Sequence, residues 1–506
     1  MALIPKQNVK RKLALLIASL VLSVTPPVYG NDSKYNKEQL VAFTNATILD
    51  PSIDLPIRES TIVVANGKII NIQPDSAPLP ADVEQIDLKD KWVVPGLIDG
   101  HVHLAQSGGA FSRPDIVDAR KIRPYQDDQD RLLRNHQSLL SKYTRLGITS
   151  IFDLGGPNEY LSTYSQLSKS PHAPDVYFAG ALLSPIDVPA LEAHGATFAQ
   201  VLRPDDAVAL AKQQLHQGSH ILKILWEGHS GFDSAQLLDL FRPAISFAKS
   251  NGLVVAIHVE ELDSAKWAVK AGADIIVHGV MREPIDNELI AMMLEHGVTY
   301  SPTLTAFEHY FQFLKGELAF NQYEEMNALE ETLDSFDLLK REAAKADKML
   351  HILNKYLPLV DSSEEELAKL SPQEQGLIKQ LRNTFSKDFI TVQKHNLLQV
   401  IAAGVNVSMG SDAGNIGTLH GTSLFGEMQA WQAAGISNKE IIKATTLGNA
   451  MAFKLEDTIG SLSSGKTANF IVLNQNPYKE LSTLQNPVQV YKQGLPMLAK
   501  EKQQQQ

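Results

Sequence analysis

Two histidines separated by one residue, His101 and His103, sit where an apolar run ends, and four further ionisable side chains stand inside or just after similar runs. These are Lys223 in HILKILWEG, His258 in VVAIHVE, His278 in DIIVHG and Asp412 after VSMGS. Spacing of i, i+2 on an extended chain sends both imidazoles to one side, as two ligands of one ion require. Burying six such groups in apolar strands is costly unless something binds them together. A divalent metal centre does this, because imidazole and carboxylate suit zinc and similar first-row ions. A lysine in an apolar strand becomes an anionic oxygen ligand once carbon dioxide carboxylates its amine. The resulting expectation is a two-ion centre. His101, His103 and Asp412 hold one ion, His258 and His278 the other, with carboxylated Lys223 and a hydroxide between them. The hydroxide is expected to attack a carbonyl carbon while Asp412 takes its proton and passes it to the leaving nitrogen. Each residue alone has a bland alternative, such as a satisfied core histidine or a snorkelling lysine; their common placement is what favours the centre.

The elements that must position these groups follow from the runs themselves. Eight apolar stretches alternate with helical ones: HVHL (101–104), GITSIFDLGG (147–156), DVYFAGALL (175–183), HILKILWEG (220–228), LVVAIHVE (253–260), ADIIVHG (273–279), GVTYSPTL (297–304) and GVNVSMGSDAG (404–414). Continuous apolar strands separated by helices indicate a parallel sheet covered on both faces, and eight of them indicate a (β/α)8 barrel. The six polar residues lie near the C-terminal ends of their strands, where such a barrel builds its active site. Short strands at 41–99, with an Asn66-Gly67 hairpin signal, and again at 468–474 and 488–494 suit a composite β-sandwich made from both ends of the chain. The expected division is a β-sandwich part at 31–95, the α/β barrel at 96–455, and a second sandwich part at 456–499. A periodic, charged segment at about 305–399 reads as a helical insertion after strand seven. It serves either as a lid over the barrel mouth or as a peripheral or homo-oligomer-forming helical hairpin.

Composition narrows the function further. The 506 residues carry 46 Lys+Arg against 57 Asp+Glu, a net charge of −11, and contain no Cys. A negative chain whose basic residues cluster only in its first twelve positions lacks the footprint for nucleic acid. Absent cysteine excludes disulfides and thiolate metal sites. Lys6, Lys10, Arg11 and Lys12 precede the apolar LALLIASLVLSV (13–24), and small residues lead to Gly30. This order is that of a secretory signal, residues 1–30, with a core too short to span a bilayer. The mature chain is therefore expected to be secreted, in a bacterial periplasm, with no membrane contact. Residues 500–506 read as a disordered tail.

Around these residues the chain resembles the amidohydrolase superfamily, in its prolidase-like and imidazolonepropionase-like branch. The resemblance rests on VPGLIDGHVHL (94–104), GITSIFDLGG (147–156), His258-Val259-Glu260, Val277-His278-Gly279, Gly410-Ser411-Asp412-Ala413-Gly414 and TTLGNAMAFKLEDTIGSLSSGKTANFIVL (445–473). It covers roughly 40–495 apart from the helical insertion, and implies a distorted TIM barrel with the composite sandwich. It also implies that Lys223 bridges two metals, since single-metal members lack such a lysine. The expected activity is hydrolysis of an amide C–N bond in a small peptide such as Xaa-Pro, an N-acyl amino acid or a cyclic amide. A mononuclear deaminase or imidazolone hydrolase, a lactone or ester hydrolase, and a non-catalytic periplasmic binding protein are the alternatives. His194, His229, Glu260, Tyr300 and His420 fall in strand-end segments and are candidate substrate contacts. No arginine is expected beside these ligand segments, which weighs against a dipeptidase that reads a free C-terminus.

Overall fold

The computed structural model describes residues 40–226, 231–346, 348–385 and 388–498. The signal-like segment, His229 and the polar tail lie outside them. No helix among the described residues is long and apolar enough to cross a membrane. The described residues open with β1 (Val41–Ile48), β2 (Ile57–Ala65), β3 (Lys68–Pro74), β4 (Glu84–Asp87) and β5 (Trp92–Pro95). Asn66 (φ 51°) and Gly67 (φ 75°) form the tight β2–β3 turn, both left-handed as a two-residue hairpin of matching twist requires.

The barrel follows. Its strands are β6 (Leu97–Val102), β7 (Ile148–Asp153), β8 (Asp175–Phe178), then β11 (Ile221–Leu225), β12 (Val254–His258), β13 (Ile275–Val277) and β14 (Thr299–Ser301), with β9 (Leu182–Ser184) and β10 (Phe198–Gln200) inserted beside β11. All the pairings are parallel. Single parallel bridges complete the ring: Ala179 with Ile221, Tyr300 with Val407, and Val102 with Ala413. The eighth stave, 404–414, is held by Ser408 N–H to Tyr300 O (3.0 Å), Gly100 N–H to Met409 O (2.9 Å) and Asp412 N–H to His101 O (2.8 Å). The stretch 175–183, expected as one strand, is two. Asn158 Oδ1 accepts from Ala181 N–H and Gln214 Nε2 donates to Ala181 O, so side chains take over the backbone groups there and the chain turns.

β15 (Phe470–Leu473), β16 (Gln489–Lys492) and β17 (Leu495–Pro496) return to the first unit. β15 pairs antiparallel with β5, and β5 runs parallel to β1, giving one eight-stranded sheet in the order β17-β16-β15-β5-β1-β2-β3 with β4 on β1. A bridge from Lys68 to Thr467 curls its far edge back, and Phe43, Phe470 and Tyr491 pack ring to ring inside.

Between β14 and the eighth stave lies a run of helices from Leu304–Lys315 to Asp388–Ala402. Their apolar cluster, including Phe313, Phe336, Leu350 and Leu357, also takes in Ala110, Phe111 and Val117 from the loop after β6 and Ile416 after the eighth stave. Both loops leave the C-terminal end of the barrel, so the insertion sits over the mouth. Glu427, wholly buried in helix Ser423–Ala433, sets its angle of entry: the carboxylate accepts from Leu304 N–H and Thr305 N–H (2.9 Å each), Thr305 Oγ1 (2.8 Å) and Trp431 Nε1 (2.9 Å). A negative charge at a helix N-terminus is favourable, and losing it leaves buried donors without acceptors. Glu427→Ala is expected to lower the unfolding free energy by about 2–4 kcal/mol, read by urea titration; a change below about 0.5 kcal/mol contradicts this role.

Candidate metal centre and its cavity

His101 is the last residue but one of β6 and His103 directly follows the strand, while Asp412 stands on the adjoining eighth stave. Gly410 allows that approach, since a Cβ there would lie 2.4 Å from His101 Cβ. His101 Nε2, His103 Nε2 and Asp412 Oδ1 are mutually 3.1 Å apart. Ligands about 2.0–2.1 Å from a tetrahedral zinc ion are separated by about 3.3 Å, so the three atoms match the donor set of one ion. No other group of three His, Asp or Glu ligand atoms converges this closely among the described residues.

The ring orientations agree. His103 Nδ1 donates to Gly155 O at 2.9 Å, which leaves the Nε2 lone pair for an ion. Thr303 Oγ1 lies 2.7 Å from His278 Nδ1 and fixes that ring in the same way. Burial holds His101 and His278 well below the usual imidazole range, in the direction of the neutral form that ligation requires. Burial also pushes against ionisation of Asp412, but the surrounding imidazoles outweigh it and keep the carboxyl well below its ordinary value. Asp412 (φ 58°) and His278 (φ 64°) both adopt left-handed backbone, a local cost maintained by the surrounding structure.

His278 and His258 pack with ring centroids 4.5 Å apart, and His278 lies 5.2 Å from His101. Lys223, in β11, is buried, and its Nζ has no hydrogen-bond partner among the described residues. Burial lowers this amine to about 7. All six residues line one cavity of about 380 Å³.

Asp99 ties the first stave to the eighth: it accepts from Ser411 N–H (2.9 Å) and Ser411 Oγ (2.6 Å), and burial pushes its carboxyl up to about 7. Asp153, likewise raised by burial to about 7, accepts from Gly155 N–H and so shapes the carbonyl that holds His103. Both stand inside the motifs VPGLIDGHVHL and GITSIFDLGG, where only their acidic type in an apolar setting signals a role.

The candidate substrate contacts separate. Glu260 lines the cavity, with Oε1 3.6 Å from His258 Nε2 and Oε2 bonded to Arg282 Nη2 at 2.9 Å. His194, Tyr300 and His420 are not among the lining residues. His194 is bonded to Asp130 (2.6 Å). Tyr300 is buried behind Gly279, whose absent side chain admits its ring. His420 bridges Tyr143 Oη (2.8 Å) and Gln106 O (2.7 Å) in the interior. The expectation that no arginine is near the ligands is corrected: Arg113 and Arg282 both line the cavity, carried there by the loops after His103 and His278. Phe307, Tyr310, Phe311, Phe385 and Phe389 of the insertion form its outer wall.

A parallel barrel thus gathers histidines, a buried lysine and an aspartate at its strand ends, with His101, His103 and Asp412 in the arrangement of a candidate metal site. The chain belongs to the amidohydrolase family, whose model matches residues 92–496. An uncharacterised protein of Mycobacterium tuberculosis is 26% identical over 227 residues, 43% of this chain and 52% of that protein. The chain thus spans about half the length of that curated relative. Among solved structures, a Xaa-Pro dipeptidase with methionine bound in its active site is 21% identical with a TM-score of 0.63, covering 90% of this chain and 99% of that one. Molinate hydrolase is 20% identical with a TM-score of 0.63, covering 90% and 94%. These two likenesses concern the fold.

Proposed function

We propose that this amidohydrolase cleaves the amide C–N bond of a small peptide, an N-acyl amino acid or a cyclic amide, using two divalent ions of the zinc type. The reading is carried by the mutual 3.1 Å convergence of His101 Nε2, His103 Nε2 and Asp412 Oδ1. The second ion rests on His258, His278 and Lys223 as its N6-carboxylated form, which supplies the oxygen ligand that the two histidines alone lack. A buried amine with no partner among the described residues favours this reading over a single-metal deaminase, which has no use for it. When bound, the ions supply a hydroxide near neutral pH, by lowering the pKa of water from about 15.7 to about 7, and polarise a carbonyl.

The chain's own residues do the rest. The ionised Asp412 accepts the proton of the attacking water and returns it to the departing nitrogen. Gly155 O and Thr303 keep His103 and His278 in one ring orientation through the cycle. The insertion's aromatic wall excludes water around the reacting bond. The signal-like segment at 1–30 supports secretion to an envelope compartment.

Reconstitution tests the proposal. Protein loaded with zinc, cobalt or manganese is expected to hydrolyse members of a panel of Xaa-Pro dipeptides, N-acyl amino acids and cyclic amides, with activity lost by at least about 100-fold on chelation and recovered on adding metal back. Turnover of lactones or aminopyrimidines alone, with every amide inert, sinks it.

A further inference from the structure

Two guanidinium groups line the cavity, and they differ in what they have left to give. Arg113 is fully engaged: Nε and Nη2 grip Asp115 at 2.9 and 2.6 Å, and Nη1 donates to Tyr310 Oη (2.9 Å) and Asn415 Oδ1 (2.6 Å). It braces the insertion against the loop that carries Asp412. Arg282 has one acceptor among the described residues, Glu260 Oε2 on Nη2. Its Nε is buried and meets no acceptor among the described residues. Buried donors are ordinarily satisfied, and one that is not invites an explanation. The Phe389 ring, 5.1 Å from the guanidinium carbon, holds the group flat, while the side chain remains 31% exposed. Such a held, planar donor is the form in which arginine recognises carboxylates.

Its position gives the ligand's geometry. Glu260 bridges from Arg282 to within 3.6 Å of His258 Nε2, so the guanidinium stands two contacts from a candidate metal ligand. On another side, Phe307 meets the His278 ring edge-on at 6.0 Å, and Phe311 packs against Phe385 at 5.7 Å. An anion reader and an apolar wall therefore flank the same centre.

We infer that Arg282 is a specificity-determining residue that binds a free carboxylate of the substrate, and that the substrate is a carboxylated amide whose other part is a bulky apolar or aromatic group lying on Phe307, Phe311 and Phe389. The inference rests on the proposed amide hydrolysis and narrows it to N-acyl amino acids and dipeptides with a large apolar residue, setting cyclic amides aside.

Two probes that cannot be hydrolysed test it: 3-phenylpropanoate and 3-phenyl-1-propanol, titrated calorimetrically into the metal-loaded full chain. The propanoate is expected to bind at least ten-fold tighter. Arg282→Met reduces that preference to within three-fold and leaves propanol binding unchanged, and Arg282→Lys falls between. Equal binding of the two probes, failure of both to bind, or a preference that survives in Arg282→Met because the metals take the carboxylate each overturns the inference. Should Arg282→Met not fold, Arg282→Lys decides: a several-fold loss of preference supports the subsite and an undiminished preference overturns it. Absence of amide hydrolysis with the Arg282-dependent preference intact removes the hydrolytic reading and leaves the anion subsite standing.

Discussion

Asp412→Asn is expected to keep most of its metal and lose turnover by about 10²–10⁴-fold, the usual contribution of a positioned proton acceptor. The substitution preserves shape at a demanding position. Asp412 has φ 58°, a left-handed backbone that asparagine tolerates as well as aspartate does, so the loop from Gly410 to Gly414 keeps its course beside His101. The side-chain carbonyl of asparagine still offers an oxygen to an ion shared with His101 and His103. What disappears is the negative charge and, with it, the capacity to accept and return a proton. Metal content by plasma emission and kcat on whichever amide the wild type turns over separate the two roles. Full activity with full metal refutes the proton-transfer role. Loss of both ions together shows that the charge is needed for ligation, and a circular dichroism melt shows whether the loop itself has moved.

Much of this site is legible in the sequence because it breaks a rule in a regular place. Lys223 and His258 are polar side chains inside parallel strands that are otherwise continuously apolar, His278 directly follows another, and only a bound group makes their burial tolerable. The barrel can be read for a related reason, since each stave is a short apolar run between helices. Residues carried by loops obey no such period. Arg282 is four positions beyond His278 and Arg113 ten beyond His103, yet nothing in the sequence says that those loops fold inward. The aromatic wall comes from a segment whose helical period fits a lid and a peripheral hairpin equally well; the choice depends on contacts with Phe111 and Val117, about two hundred residues earlier. Tyr300 and His420 show the converse. A strand-end position places neither in the cavity, because alternate strand residues face opposite ways and the chain after Asp412 turns back toward Gln106.

Lys223→Met is expected to act in opposite directions on the two forms of the protein. In the loaded form it removes the carboxylated ligand, so metal per chain falls from two to one or none and amide turnover falls by at least about 10³-fold. In the chelated form it replaces a buried amine that has no partner among the described residues by an apolar side chain of similar length, and stability rises by about 1–3 kcal/mol. The pH dependence of that gain has a definite sign. Burial lowers the folded amine to about 7 from an ordinary 10.5, so between these values the unfolded chain binds a proton that the folded chain does not. Stability of the chelated wild type therefore climbs with pH across this interval. The advantage of Lys223→Met is greatest at and below about pH 7 and fades toward pH 10.5. Urea titrations at about pH 7 and about pH 9.5 in carbon-dioxide-free buffer, beside metal analysis, read all of this. Equal metal content in variant and wild type excludes the bridging ligand and returns the centre to a single ion on His101, His103 and Asp412. A chelated variant less stable than wild type at about pH 7 shows instead that the lysine stem is needed for packing against its neighbours in β11 and β12.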